Sequence, residues 1–166
     1  MAELSENMRK ALNHQVRAEF GASYLYLSMA AWFEGENLRG MARWMRHQAQ
    51  EEAGHAMRIF DYVIERGARV ELGGVETPKA EWPSPKAAFQ DALAHEKRVT
   101  GMINALVDTA TQEKDHATNV FLQWFVTEQV EEESSAGEVV QRFDMIGDAR
   151  NMLFLLDMEL GKRSGE

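Results

Sequence analysis

Apolar residues recur along most of the chain three to four positions apart, the spacing of helices with one buried face. The three prolines, Pro78, Pro83 and Pro85, stand close together, so long helices are permitted on either side of them. The pattern predicts a first helix from Ser5, as N-cap, to Glu34-Gly35, and a second from about Leu38 to Arg66 with Gly67 as its stop. Gly67 to Pro83 holds Gly73-Gly74 and two prolines and reads as a long connection. Ser84-Pro85 supplies a cap and a favourable first helical residue for a third helix, which runs to about Thr111. A fourth is expected from near Asp115 to Ile146, and a short fifth from Asp148 to Leu160 after the break at Gly147. Helices of roughly 27–30 residues would be about 40–45 Å long, well above the globular average. Short turns predict two antiparallel hairpins, and the long middle connection can cross the bundle and make the second and third helices parallel. The expected fold is all-α: an up-down-down-up four-helix bundle with one long crossover and a short C-terminal helix. It forms a single domain over 1–166, with the bundle at about 5–146 and the last helix at about 148–161.

Polar residues on the buried seams change this picture. Residues seven apart share a helix face. The first helix has the row Leu12, Glu19, Tyr26, Phe33; the second has Met45, Glu52, Ile59 beside Met41, Gln48, His55, Tyr62. The third has Phe89, Glu96, Ile103, Ala110, and the fourth has Phe125, Glu132, Val139, Ile146 beside Leu122, Gln129, Ala136, Phe143. Each helix therefore places one glutamate in a mainly apolar row. A lone seam glutamate ordinarily keeps its carboxylate in water at the seam's edge. Four of them, one per helix, with a Glu52-x-x-His55 pair on one face, point instead to a shared ligand. Four ionised carboxylates in a core would be very costly unpaired, and two Fe²⁺ ions would balance Glu19, Glu52, Glu96 and Glu132. Oxygen-rich ligation with one imidazole suits iron or manganese. Di-iron carboxylate bundles carry a Glu on each of two helices and Glu-x-x-His on the other two; here the second helix has that motif and the fourth has Gln129-x-x-Glu132.

Composition narrows the alternatives. A net charge of -9 argues against a nucleic-acid partner. The absence of cysteine excludes disulfides, thiolate zinc sites and iron–sulfur clusters. No apolar run approaches the ~18 residues of a membrane span, and the first residues do not read as a secretion signal, so a cytoplasmic location is expected. His14, His47 and His116 read as surface residues, His95 points away from the face of Glu96, and Glu133 reads as part of a solvated face. Tyr26 reads as packing whose hydroxyl could reach a metal-bound group. The methionines read as core packing.

At Ala49-Gln50-Glu51-Glu52-Ala53-Gly54-His55 and Phe121-Leu122-Gln123-Trp124-Phe125-Val126-Thr127-Glu128-Gln129-Val130-Glu131-Glu132-Glu133, the chain resembles the bacterial non-haem ferritins over nearly its whole length. The resemblance implies a ferroxidase that oxidises Fe(II) with dioxygen at two irons per subunit and stores the ferric mineral. Glu19, Glu52 and His55 would hold the first iron; Glu52 would bridge to the second, held also by Glu96 with Gln129 and Glu132 nearby. Glu51, Glu128 and Glu131 match a third iron position, and Tyr26 matches the family's tyrosine near the centre. Asn151-Met152-Leu153-Phe154-Leu155-Leu156 looks like the family's fourfold-axis helix, which implies a homo-oligomeric shell of twenty-four subunits. Haem is not expected: bacterioferritins place an axial methionine where Ala53 stands and complete the second Glu-x-x-His. Rubrerythrin-like proteins carry a cysteine-ligated iron domain, and the starvation-induced mini-cages lack the fifth helix. Two readings stand beside storage: a di-iron oxidase or peroxidase without storage, and a non-catalytic helical module that binds no metal.

Overall fold

The structure is a computed structural model that describes residues 3–163. Five helices form in the order α1 Glu6–Gly35, α2 Arg39–Glu65, α3 Pro85–Gln112, α4 His116–Ile146 and α5 Arg150–Leu160. Their ends follow from local chemistry. The Ser5 hydroxyl accepts the Met8 amide at 2.9 Å, and Ser84 accepts the Ala87 amide at 3.1 Å, each satisfying a donor left free by the first turn. The α1–α2 turn closes with Asn37 at φ 59° and the Leu38 amide on the Phe33 carbonyl at 3.0 Å. Lys114 at φ 57° does the same between α3 and α4, with the Asp115 amide on the Ala110 carbonyl at 2.9 Å. Both are left-handed C-terminal stops without glycine. The fifth helix begins two residues later than the sequence suggests, because Ala149 is extended (φ -73°, ψ 107°) and caps it.

Contacts between side chains give the helix directions. Phe33, late in α1, packs on Phe89, early in α3, and Tyr62, late in α2, meets Thr118, early in α4, at 3.0 Å. The helices therefore run up, down, down, up, as the loop lengths imply. The crossover, 67–84, lies along α1: the Glu71 amide bonds Asn13 at 3.0 Å, and the Ser28 hydroxyl bonds the Lys79 carbonyl at 2.6 Å. At its end Trp82 is buried and donates to Asp91 at 2.8 Å. The fifth helix docks on the start of α2, where Leu38 brings no capping side chain and Asp157 instead accepts the Met41 amide at 2.8 Å.

The apolar interior falls into two clusters. One is built on Met29, Phe33, Met41, Met45, Phe89 and Phe143 and extends under α5 to Leu156 and Leu160. The other is built on Met8, Leu12, Ile59, Ile103, Leu122 and Phe125. Between them, at mid-bundle, lies the layer of seam glutamates.

Candidate metal centre

All four helices deliver a carboxylate to this layer. Glu19, Glu52 and Glu96 are each 1% exposed and Glu132 5%, so the bundle seam and not its edge holds them. The same layer contains buried His55, Gln129 and Tyr26. Ligand atoms of Glu19, Glu52 and His55 lie within 4.8 Å of one another, and so do those of Glu52, Glu96 and Glu132. Two adjoining triads thus share Glu52. His55 Nδ1 is 3.2 Å from Glu52 Oε2, as the i, i+3 spacing requires, while its Nε2 lies 3.9 Å from Glu128.

Hydrogen bonds fix the carboxylates from behind. Gln15, one turn before Glu19, donates to it at 2.8 Å. Gln48 donates to Glu52 at 3.3 Å and also to Glu132. Tyr26 donates its hydroxyl to Glu96, and Gln129 Nε2 reaches Glu96 Oε2 at 3.2 Å. The second oxygen of Glu19 is buried with no hydrogen-bond partner. An acceptor left bare in a core is costly, and Glu19 belongs to the first triad, where a cation would satisfy it.

Protonation follows from burial. Burial pushes the carboxyls of Glu19, Glu52 and Glu96 above the usual carboxylate range; the charges of Glu96 and Glu132 add to the effect at Glu52. Glu132 is pushed up to about 8 by burial and then by Glu96. Tyr26 is raised by burial and by the Glu96 and Glu52 charges. A site whose empty form resists holding its own charges is matched to a divalent pair, which removes the repulsion. The donor set of carboxylates and one imidazole fits hard or borderline metals such as Fe²⁺.

The outer acids are arranged differently. Glu128 is half-buried and joins a third triad with His55 and Glu132. Among the described residues, no ligand-spaced triad includes Glu51 or Glu131. Glu51 is ion-paired with Arg163 at 2.7 Å, and Glu131 is exposed. Glu133 is not simply solvated: it is half-buried and accepts the Thr100 hydroxyl at 3.1 Å, because α3 packs close beside it. Among the histidines, His14 and His116 are exposed, while His47 is half-buried. His95 is half-buried and meets Tyr26 edge-on at 6.1 Å.

Sequence reasoning missed Gln15, Gln48 and Arg163. Gln48 had a signal, since it occupies the seam row of His55, one heptad earlier. Gln15 had a fainter one, at i-4 from Glu19. Arg163 had none, because only the docking of α5 brings it to α2.

The ferritin-like domain profile matches residues 9–146. The chain is 42% identical to the bacterial non-heme ferritin of Bacteroides fragilis over 160 residues, covering 96% of this chain and 99% of that protein. It is 40% identical to that of Staphylococcus aureus over 161 residues, covering 97% of each. Among solved structures it is similar to the open pore ferritin of the hyperthermophilic archaeon Archaeoglobus fulgidus, with 52% identity and a TM-score of 0.97 over 98% of this chain and 100% of that one. An engineered closed form of that archaeal ferritin superposes with a TM-score of 0.96 at 52% identity, over 98% of this chain and 99% of that one.

Proposed function

The chain belongs to the ferritin family, and from that premise we propose that it stores iron, taking up Fe(II), oxidising it with dioxygen inside each bundle and depositing the ferric product in a shell. The observation that carries this reading is the buried pair of triads sharing Glu52, drawn from all four helices. Glu19, Glu52 and His55 hold one Fe²⁺. Glu52 and Glu96 hold the second, with Gln129 and Glu132 beside it. The protein's contribution is proximity and charge balance, since it keeps two one-electron donors within reach of one oxygen molecule. Each Fe²⁺ gives one electron, so one dioxygen is reduced by two electrons to the level of hydrogen peroxide. Water hydrolyses the two Fe³⁺ to oxo-hydroxide and the protons leave to solvent. Tyr26 and Gln129 orient Glu96, and Gln48 orients Glu52 and Glu132. Glu51, Glu128 and Glu131 form an outer acidic position that passes iron inward or holds a third ion.

Assembly is the other half of the proposal. The fifth helix exposes Met152, Phe154, Leu155 and Met158, a short apolar face that copies of the chain would bury in a symmetric homo-oligomer, here a shell of twenty-four. No helix among the described residues is long and apolar enough to cross a membrane. The test is an anaerobic Fe²⁺ titration of apoprotein followed by exposure to air, recorded by stopped-flow absorbance with a sizing run. Two to three irons per chain, rapid oxidation and a shell-sized particle are expected. Two irons in a small oligomer would favour a di-iron oxidase without storage, and no tight binding would overturn the site.

A further inference from the structure

The end of α5 reaches back to the carboxylate layer. Arg163, three residues beyond the last helical turn, lays its guanidinium 4.7 Å from the centre of the Trp44 ring. From there Nη1 donates to Gln48 Oε1 at 2.9 Å and Nη2 donates to Glu51 Oε2 at 2.7 Å. The amide nitrogen of the same Gln48 bonds the inner carboxylates Glu52 and Glu132. One cation therefore joins the outer acid Glu51 to the amide that orients the inner ligands. Arg163 also lines a cavity of about 350 Å³ whose wall carries charges of both signs, Glu138 and Glu159 beside Arg142 and Lys162, together with Trp44 and Leu160.

The approach that permits this is tight. A Cβ at Gly40 would stand 1.7 Å from the Asp157 carbonyl oxygen, and one at Gly161 would stand 2.8 Å from Gly40 Cα. Two glycines face each other where α5 meets α2, and Arg43 fixes the exit of α5 by donating to the Gly161 carbonyl at 3.0 Å. The guanidinium is thus delivered by a docked element. Its fork, held by the ring, the amide and the carboxylate together, suits it to bridging where a lysine's single point charge would not.

We propose that Arg163 is a resident counter-cation that gates the outer acidic position: a metal ion gains Glu51 Oε2 only by displacing the guanidinium, so a third ion on the side of the centre facing the α5 cavity is held weakly. This inference rests on the metal-binding reading above. Its consequence is a selectivity between inner and outer positions. The inner triads, whose own oxygens Arg163 does not bond, fill first, and Glu51 offers Oε2 to an ion only once Arg163 releases it. Glu128 is left more available, because it faces His55 and not the guanidinium.

The test is calorimetric titration of the assembled apoprotein with Fe²⁺ under nitrogen, with sizing of each variant. The wild type is expected to bind two ions tightly and any further ion weakly. Arg163→Met keeps an unbranched stem on Trp44 and removes the charge; it is expected to tighten the weaker class about tenfold with the particle unchanged. Arg163→Lys keeps a charge without the fork and should fall between the wild type and Arg163→Met. In the double variant Arg163→Met, Glu51→Gln the gained affinity should vanish, which assigns it to Glu51. If Arg163→Met binds with wild-type stoichiometry and affinity, the gate is overturned while the inner site stands. A gain that survives Glu51→Gln would also overturn it, since the guanidinium would then act elsewhere. Absence of tight binding by the wild type would remove the metal-binding reading and this inference together.

Discussion

At Glu52 the requirements of folding and of metal binding oppose each other. The carboxyl is 1% exposed, and Glu19, Glu96 and Glu132 lie around it. Burial, then the charges of Glu96 and Glu132, disfavour its ionised form, yet a metal ligand must be ionised. Replacing Glu52 by Gln keeps the shape and removes the charge. At pH 7 this variant should make the apoprotein more stable, by about 1–3 kcal/mol, while anaerobic Fe²⁺ affinity collapses; paired thermal melts and calorimetry check both. A lower melting temperature in the apo variant would mean that the layer is satisfied by hydrogen bonds alone. Glu19→Ala and Glu96→Ala should each slow the fast phase of Fe(II) oxidation by more than about a hundredfold with assembly intact, read by stopped flow and sizing. Gln48 acts through its bonds to Glu52 and Glu132, so Gln48→Leu should weaken Fe²⁺ binding by about 10–100-fold. Retention of wild-type affinity there would show that the carboxylates are placed by backbone geometry alone.

At the scale of elements, most of what could be read in advance came from period and punctuation. The seam rows placed Glu19, Glu52, Glu96 and Glu132 on buried faces because a long helix repeats its face every seven residues, and the caps Ser5, Ser84 and Gly67 marked ends that the structure keeps. Lys114 and Asn37 stop helices through backbone conformation, which residue type announces only weakly for lysine. The partners of Asp157 and Arg163 could not be read at all, since both depend on where α5 docks. That docking supports its own prediction. Gly40→Ala drives a methyl into the Asp157 carbonyl and should push α5 away, taking the cap from the Met41 amide. The loss should be about 0.5–2 kcal/mol from the cap alone, seen as a lower denaturation midpoint. Asp157→Ala, which removes the cap without the clash, should lose only that amount. Equal losses in the two variants would mean that the close approach tolerates a methyl.

For the whole molecule, the buried acids link folding, protons and metal. Unfolded, a glutamate titrates near its ordinary value; folded, Glu132 is raised to about 8 and Glu19, Glu52 and Glu96 are raised as well. The native apoprotein therefore holds more protons than the unfolded chain between about pH 4.5 and 8. Stability rises with pH only where the unfolded state binds more protons. Here the sign is reversed, and the contribution of these groups is full below the unfolded value and lost as pH rises through the folded one. Apoprotein melting temperature should fall from pH 5 to 8, against the trend of proteins whose acids are salt-bridged. Divalent metal should change this, because a cation pair held by Glu19, Glu52, Glu96 and Glu132 replaces the protons that keep the empty layer tolerable. Anaerobic Fe²⁺ binding at pH 6.5 should then release protons, measurable by titrating in two buffers of different ionisation enthalpy. The melting temperature of the loaded protein should be nearly flat over the interval in which that of the apoprotein falls. Binding without proton release, together with a flat apo profile, would mean that the carboxylates are ionised before metal arrives. The acidic layer would then have to be compensated by groups other than the ions it is proposed to hold.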